Sequence, residues 1–217
     1  MNTRPSRRDI AALAKADPRM GRLLEEVGPF PDLRAANTAR SHFHALARAI
    51  IYQQLAGKAA STIHDRFRRS TSGSGFPSPG EVCRLPEKTF RSAGISRGKQ
   101  RAITALADAI ESGTLSLRSI GRRSDDEVIE QLTRIHGIGK WTAQMFLMFR
   151  LGRLDVMPAT DLGVQEGMRI LDRLDRRPTP AELMERAECW SPLRSVATWC
   201  LYRAVDMNRA GKSIQAT

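Results

Sequence analysis

The chain has 217 residues, enough for one or two domains of ordinary size, and a formal net charge of +12. Its 41% hydrophobic content and mean hydropathy of −0.37 are typical of a globular protein with a sizeable core. No apolar run approaches the roughly 20 residues that span a bilayer, and no apolar segment of a secretory signal follows the basic N-terminus. We therefore expect a cytoplasmic protein with no membrane partner.

Helical periodicity runs through nearly the whole chain, strand-like alternation is absent, and Gly and Pro recur at helix-length intervals. The sequence therefore predicts an all-α protein. The helices are expected at residues 6–16, 18–27, 39–55, 57–70, 79–84, 87–93, 97–112, 124–135, 140–150, 161–174, 180–189 and 193–208. Ser124 before three acidic residues marks a helix start, Pro180 occupies a first helical position, and Gly113 marks a helix stop.

The positive charge comes mainly from arginine, which suits planar contact with phosphate. Two interpretations stay open at this point: an arginine-rich proteome, or a polyanionic partner such as nucleic acid. The three cysteines match no zinc or iron–sulfur pattern, and His42 and His44 fall on different faces of a helix. A metal site built from side chains is therefore not expected.

The segment from Leu132 to Asp161 carries the clearest functional signal. A predicted helix ends near Ile135, and the turn Gly137-Ile138-Gly139 leads into the next helix. Glycines permit a tight turn and close approach of a ligand, and the N–H groups at the start of a helix suit an anion. The alternative is a plain corner between two helices. Asp161 alone would be an ordinary acid at a helix start. Because it follows the Gly-Ile-Gly turn about one helix and a loop later, it favours the functional interpretation of the turn over the plain corner.

Four ordered segments resemble one family. They read IIYQQLAGKAASTIHDRF (50–67), GISRGKQRAITALA (94–107), LTRIHGIGKWTAQMFLMF followed by LDVMPATDLGVQEG (132–167), and WSPLRSVATWCLYRAVD (190–206). From about residue 40 to 208 the chain resembles the helix–hairpin–helix/Gly-Pro-Asp superfamily of DNA glycosylases. Within that superfamily it is most similar to the DNA-3-methyladenine glycosylase II (AlkA-like) family.

The resemblance implies a two-lobed, all-helical fold with the active cleft between the lobes. We expect residues 1–40 and 160–217 to form one lobe. Residues 41–159 would form a helical-bundle lobe with the helix–hairpin–helix at about 132–150. The N-terminus is too short for the β-rich domain that some relatives carry, so no such domain is expected. A monomer is expected, nucleoid-associated if the source is bacterial.

The resemblance also implies contacts to double-stranded DNA that contains damaged bases. Gly137, Gly139 and Thr142 would present backbone N–H groups to a phosphate, and Lys140 and Lys58 are further phosphate contacts.

The turn after the first long helix matches the family's intercalating loop. Gln54 is the expected plug for the hole left by an extruded base, with Leu55 as the alternative. Gln53 either contacts DNA beside them or caps a helix end.

A monovalent cation, Na⁺ or K⁺, is implied at the hairpin on the backbone carbonyls of Thr133, Ile135 and Ile138. No cofactor is expected to be required. His136 stands where many relatives have proline, which leaves the turn slightly less rigid.

Asp161 falls at the position of the family's catalytic acid. A carboxylate near the deoxyribose C1′ stabilises the positive charge that grows as the glycosidic bond breaks, and it orients or deprotonates the attacking water. Members that also cleave the strand carry a lysine where this chain has Trp141. Lys140 lies one residue earlier, about 100° around the helix. The resemblance therefore implies a monofunctional hydrolase that leaves an abasic site.

Alkylated purines such as 3-methyladenine and 7-methylguanine carry positive charge, are cheaper to extrude than intact bases, and are attracted to aromatic faces. Trp141 is the first candidate for the pocket wall and Trp190 the second, with Tyr52 as a further contributor. Met145 stands where close relatives carry another pocket aromatic.

Trp199 and Tyr202 are expected in the core. Two other functions stay open on the sequence: a bifunctional glycosylase/lyase for other damaged bases, and a non-catalytic helix–hairpin–helix DNA-binding protein.

Overall fold

The computed structural model describes residues 4–34, 39–55, 57–70 and 75–212, and within these ranges the chain is helical with no strand. The α-helices are α1 (Arg7–Ala16), α2 (Pro18–Val27), α3 (His42–Tyr52), α4 (Gly57–Arg69), α5 (Pro79–Arg84), α6 (Glu87–Ala93), α7 (Arg97–Glu111), α8 (Asp125–Thr133), α9 (Lys140–Phe146), α10 (Leu162–Asp172), α11 (Pro180–Arg186) and α12 (Arg194–Arg209). The all-α prediction is confirmed. Among the described helices, none is long and apolar enough to cross a membrane.

The predicted helices differ from the observed ones mainly at their ends, for local reasons. The helix expected at 39–55 starts only at His42, because the Ser41 side chain caps it by accepting the His44 N–H at 3.1 Å. It stops before Gln54, whose φ of +54° lies outside the helical region. The helix expected at 140–150 is α-helical to Phe146 and continues as a π-helical turn, Leu147–Leu151.

The chain divides into two compact units, Met1–Ala36 with Leu151–Thr217 and Asn37–Arg150. The first unit contains α1, α2 and α10–α12, and the second contains α3–α9. The boundaries expected from the sequence, after residues 40 and 159, lie 4 and 9 residues later along the chain than the observed ones after residues 36 and 150.

The core of the first unit depends on close approach of α10 and α12 and on one partly buried ionic cluster. At Gly167 a Cβ would collide with the backbone of Leu201, so glycine lets the two helices touch. Trp190 is fully buried, and its indole N–H donates to Asp17 Oδ2 at 2.8 Å. Arg186 pairs with the same carboxylate oxygen at 2.6 Å. Since buried charges are tolerated only when paired, this cluster fixes how α2 and α11 pack around the tryptophan.

The second unit is built around α3, which packs against α4, α7 and α9. Its apolar face is fully buried, with Leu46 and Ile50 at 0% exposure. At its C-terminus the Lys99 Nζ donates to the Ile51 carbonyl oxygen at 2.7 Å. A cation at a helix C-terminus is favourable, and this one ties the end of α3 to the start of α7.

His44 and His64 form a buried hydrogen-bonded pair between α3 and α4, with their Nε2 atoms 2.8 Å apart and Phe76 stacked on His44 at 4.2 Å. The Arg40 backbone N–H donates to His44 Nδ1 at 3.3 Å, so neutral His44 carries its proton on Nε2 and donates it to His64. His64 then carries its proton on Nδ1, 3.5 Å from an Asp65 oxygen. Burial, and then the neighbouring His64, lowers the pKa of His44 to about 4, and burial also lowers the pKa of His64.

This pair makes stability sensitive to mild acid. Because the folded-state pKa of His44 lies below its ordinary value of 6.5, its contribution is complete above about pH 6.5 and is lost as the pH falls toward 4. We expect the free energy of unfolding, measured by urea titration, to drop by about 2 kcal/mol between about pH 7 and pH 4.5. His44→Gln, which keeps a donor and an acceptor but does not titrate, should flatten this dependence. An unchanged dependence in that variant would contradict the assignment.

Candidate functional site

The hairpin turn follows α8 and needs glycine at its first position for two reasons. Gly137 has φ +79°, and a Cβ there would collide with Ala102 on α7. The turn is closed by the Ile138 N–H, which donates to the Ile135 carbonyl at 3.1 Å, and the Ile138 side chain is buried. The first glycine is therefore a packing requirement of the second unit.

The second glycine of the hairpin has no such requirement within the part of the chain that the structure describes. Gly139 has ordinary extended angles (φ −94°, ψ 175°), and a Cβ would meet no atom of the described chain within 4 Å. The Ala143 N–H makes the first bond of α9 to the Gly139 carbonyl, at 3.2 Å. The N–H groups of Lys140 and Thr142 precede that bond and so have no intrahelical partner. Open space in front of helical N–H groups suits close approach of a phosphate.

Gln53 connects the loop after α3 to this hairpin. Its amide Nε2 donates to the Gly137 carbonyl at 3.1 Å and to Thr142 Oγ1 at 2.8 Å. Both amide protons thus anchor the loop to the hairpin, and Gln53 is also the C-cap of α3, as one of the two sequence alternatives predicts. The long sequence separation hides this role, because the only local signal is a glutamine beside another glutamine.

The two residues after Gln53 are the exposed tip of the loop. Gln54 is exposed in the left-handed region, and Leu55 is 38% exposed. Ala56, which belongs to the same predicted turn, lies outside the described residues. Lys58 in the first turn of α4 and Lys140 in the first turn of α9 are both exposed. The candidate plugs and the two lysines therefore stand on the surface of the second unit.

The candidate catalytic acid lies in the first unit, where Asp161 is the N-cap of α10. Its Oδ1 accepts the N–H groups of Gly163 at 2.7 Å and Val164 at 2.9 Å. The turn before it is held by Gln165, whose Nε2 donates to the Ala159 carbonyl at 2.9 Å. The carboxylate is half-buried and fixed by backbone donors.

Tyr202 on α12 is a further residue of this site, although the sequence places it in the core. Tyr202 is half-buried, and burial, then the charge of Asp161 and a hydrogen bond to its carboxylate, raise the pKa of Tyr202 well above its ordinary value. Gly163 leaves room for the ring, since a Cβ there would lie 3.1 Å from Tyr202 Cε1. The sequence could have indicated this role, because the hydroxyl of a tyrosine in the core needs a hydrogen-bond partner.

The Arg-Ser pair of the motif at 190–206 holds the chain segment that leads to Asp161. Arg194 Nε and Nη2 each lie 2.7 Å from a different oxygen of Asp155. Ser195 Oγ accepts the Val156 N–H at 3.0 Å. Burial opposes ionisation of Asp155, but the Arg194 guanidinium more than compensates and holds the pKa of this carboxyl below its usual value. Sequence reasoning noted this motif without assigning a role to either residue.

Trp190 does not fit the predicted role of a substrate-pocket residue. It is 0% exposed, its indole N–H is used by Asp17, and the Arg186 guanidinium lies 5.1 Å from the ring centroid. The prediction was wrong: Trp190 is a core tryptophan, because its side chain is completely buried inside the first unit and no part of it is open to a base.

The other pocket candidates lie in the second unit. Trp141 is half-buried in the first turn of α9, and Met145, one turn later, is 9% exposed. The ring of Tyr52 is covered by the Arg48 guanidinium at 4.3 Å from its centroid. Trp141 therefore lies at the hairpin with part of its side chain exposed and stays a candidate for the pocket wall. One face of the Tyr52 ring is covered by Arg48 and is not available to a base. In the described part of the chain, no group of three His, Cys, Asp or Glu residues is placed to hold a metal ion.

Comparison with known proteins decides the family. The model of the HhH-GPD superfamily of base excision DNA repair proteins matches residues 47–192. The chain belongs to this superfamily. The matched range contains the Gln53 loop, the hairpin and Asp161, so all three parts lie in the HhH-GPD region.

Individual HhH-GPD relatives match most of the chain. DNA-3-methyladenine glycosylase 1 of Schizosaccharomyces pombe is 36% identical over 192 residues, which cover 88% of this chain and 84% of that protein. A structure of the S. pombe 3-methyladenine DNA glycosylase Mag1 in complex with abasic DNA is similar with a TM-score of 0.86 at 35% identity, covering 90% of this chain and 95% of that chain. DNA-3-methyladenine glycosidase from Bacillus halodurans gives a TM-score of 0.77 at 31% identity, covering 94% and 92%.

The two hairpin glycines should separate stability from DNA binding. Gly137→Ala should lower the free energy of unfolding by about 2 kcal/mol or more, because φ is positive and the methyl group collides with Ala102. Gly139→Ala should cost less than about 1 kcal/mol, as expected for alanine at an N-cap. Its methyl group should nevertheless weaken duplex DNA binding several-fold, measured by fluorescence anisotropy. Wild-type affinity in Gly139→Ala would show that DNA does not approach this backbone.

Proposed function

We propose that this HhH-GPD protein is a monofunctional DNA glycosylase. It hydrolyses the N-glycosidic bond of alkylated purines, of the 3-methyladenine and 7-methylguanine type, after they are flipped out of duplex DNA. The observation that carries the proposal is Asp161, a carboxylate held by two backbone N–H groups and a tyrosine hydroxyl. The names of the matched relatives support the substrate class.

DNA binding is assigned to the second unit. The N–H groups around Gly139, Lys140 and Thr142 hold a backbone phosphate, and the positive end of the α9 dipole strengthens that contact. Gln54 or Leu55 fills the hole that the extruded base leaves. Because Gln53 is hydrogen-bonded to both Gly137 and Thr142, the loop that carries the plug is fixed to the hairpin that holds the phosphate.

Asp161 supplies the chemistry. As the bond between C1′ and the base nitrogen breaks, its electron pair leaves with the base and positive charge develops on the sugar. A fixed carboxylate stabilises that charge. It also orients the water whose oxygen bonds to C1′ and accepts the proton that this water loses. Alkylation at N3 or N7 has already made the base cationic, so the base departs neutral without prior protonation. Trp141 offers the cationic base an aromatic face.

Trp141 also explains why the reaction stops at the abasic site. Strand cleavage by this superfamily requires an amine that attacks C1′, and the position that would carry it holds the indole. Lys140 is exposed at the hairpin, where its charge serves the phosphate. The product is therefore an abasic site in an intact strand.

We further propose that a weakly held Na⁺ or K⁺ stabilises the hairpin. Thr133 ends α8, where helical carbonyls have no intrahelical partner, and Ile135 and Ile138 belong to the turn itself. Carbonyl oxygens of this kind suit a monovalent cation, whose charge would favour a nearby phosphate. The chemistry at Asp161 requires no cofactor. The cytoplasm, with the nucleoid if the source is bacterial, is the proposed location.

Asp161→Asn is a sharp test, because asparagine caps a helix as well as aspartate does. We expect wild-type stability and wild-type DNA affinity, with base release slowed by at least about 100-fold through loss of the negative charge. The substrates are duplexes with one 3-methyladenine, 7-methylguanine, ethenoadenine, hypoxanthine or uracil. If the wild type releases none of these bases, the enzyme proposal fails and a non-catalytic binding module is left. A covalent DNA adduct trapped by borohydride would overturn the monofunctional assignment.

Tyr202→Phe tests the positioning of the acid. It removes one hydrogen bond to Asp161 and keeps the ring, so kcat should fall about 10-fold, the equivalent of one charge-assisted hydrogen bond, while KM stays near its wild-type value. Trp199→Phe is the matched control, since Trp199 packs edge-on against Phe30 at 5.6 Å. Equal kinetics for the two variants would assign Tyr202 a purely structural role.

A further inference from the structure

The groove between α3 and α4 is a cationic cavity that the proposed catalytic steps leave unused. It has a volume of about 370 Å³ and is lined by Arg40, Arg48 and Tyr52 on one side and by Arg68 on the other. Asp65 contributes the one carboxylate to this described lining. Three guanidinium groups against one carboxylate leave the groove positively charged.

The floor of the groove is polar but neutral. It consists of the His44–His64 pair, two buried residues that are each 6% exposed, with Phe76 stacked against His44. The hydrogen-bond chain that starts at the Arg40 N–H assigns one proton to each imidazole, so near pH 7 the floor adds no charge. The positive charge therefore sits at the rim, where it meets solvent. Arginine at such a rim suits a phosphate, because its planar fork matches two phosphate oxygens.

The groove adjoins the proposed DNA-contacting loop. Tyr52 is the last residue of α3 and directly precedes Gln53, whose amide is bonded to the hairpin. Arg48 is held in the groove by Tyr52, with Nη2 3.2 Å from the phenol oxygen. From Tyr52 back to His42, α3 extends about 15 Å at helical rise, the axial length of about four base-pair steps, and Arg40 lies just beyond this end of the helix.

We propose that the α3–α4 groove binds backbone phosphates of the duplex that flanks the lesion, next to the plug loop. The ligand is the DNA phosphodiester, and the inference rests on the proposed function, because the loop must already be on DNA. Arg48 and Arg68 each neutralise a phosphate, and Arg40 extends the track away from the loop. The protein then contacts a longer stretch of duplex on one side of the lesion than the hairpin and plug alone require.

The test measures how DNA affinity depends on duplex length in proteins with and without the arginines of the groove. The groove variant is Arg48→Gln with Arg68→Gln, and the matched control is Arg66→Gln with Arg69→Gln, which removes the same charge from exposed positions of α4 outside the groove lining. Dissociation constants are measured by anisotropy for a lesion duplex that extends well beyond the lesion on both sides, and for duplexes cut back on either side.

Wild type and control should lose affinity about 10-fold when one particular side is cut back, whereas the groove variant should bind the long and the shortened duplex alike. The salt dependence of the groove variant should be shallower by about 2 in log–log slope. Equal length dependence in the groove and control variants would overturn the proposal.

Two further readouts keep the causes of failure apart. Base release by the wild type and by the control variant reports on the proposed function independently of the groove. Inorganic phosphate is added alone while the imidazole NMR signals of His44 and His64 are followed. If phosphate shifts these signals but duplex length has no effect on affinity, the groove is a site for free phosphate and the DNA assignment is overturned.

Discussion

The start of an α-helix leaves several backbone N–H groups without intrahelical partners, and both functional parts of this protein are built on that constraint. At α10 the vacant donors are satisfied from within, by the carboxylate of Asp161, and the same two bonds fix the acid in place. At α9 the N-cap is Gly139, which has no side chain to offer. The backbone N–H groups of Lys140 and Thr142, which have no intrahelical partner, are the proposed contacts of a phosphate. One property of the peptide backbone thus underlies both the oriented acid in one unit and the proposed anion site in the other.

Each functional loop is also secured by a polar side chain from a distant element. In the second unit, Gln53 bonds the hairpin and Lys99 bonds the end of α3. In the first unit, Arg194 is paired with Asp155 in the segment that leads to Asp161, and Tyr202 of α12 contacts Asp161 itself. Such bonds to buried or half-buried groups are costly to leave unmade, so they define one loop geometry where apolar packing alone would permit several.

The helices, the hairpin and the helix-start position of Asp161 follow from the sequence because their signals are local. Caps, periodicity and the Gly-Ile-Gly turn each act over a few residues. The remaining contacts join residues far apart in the chain, and no local pattern encodes them. Trp190 meets Asp17, 173 positions away, and so belongs to the core instead of the pocket. Gln53 meets Thr142, 89 positions away, which gives it an anchoring role. Tyr202 is hidden for the same reason, since its partner is an acid on another helix.

A charged catalytic group normally weakens a fold, because it is held where reaction, rather than packing, requires it. The N-cap position of Asp161 removes that conflict. The carboxylate satisfies donors that would otherwise be unpaired, so the acid stabilises the helix on which it works. At this residue the protein does not lose stability in return for activity. Replacing Asp161 is therefore not expected to raise the free energy of unfolding. The proposed catalytic acid can persist on structural grounds alone, even in a copy of the protein that has lost its substrate.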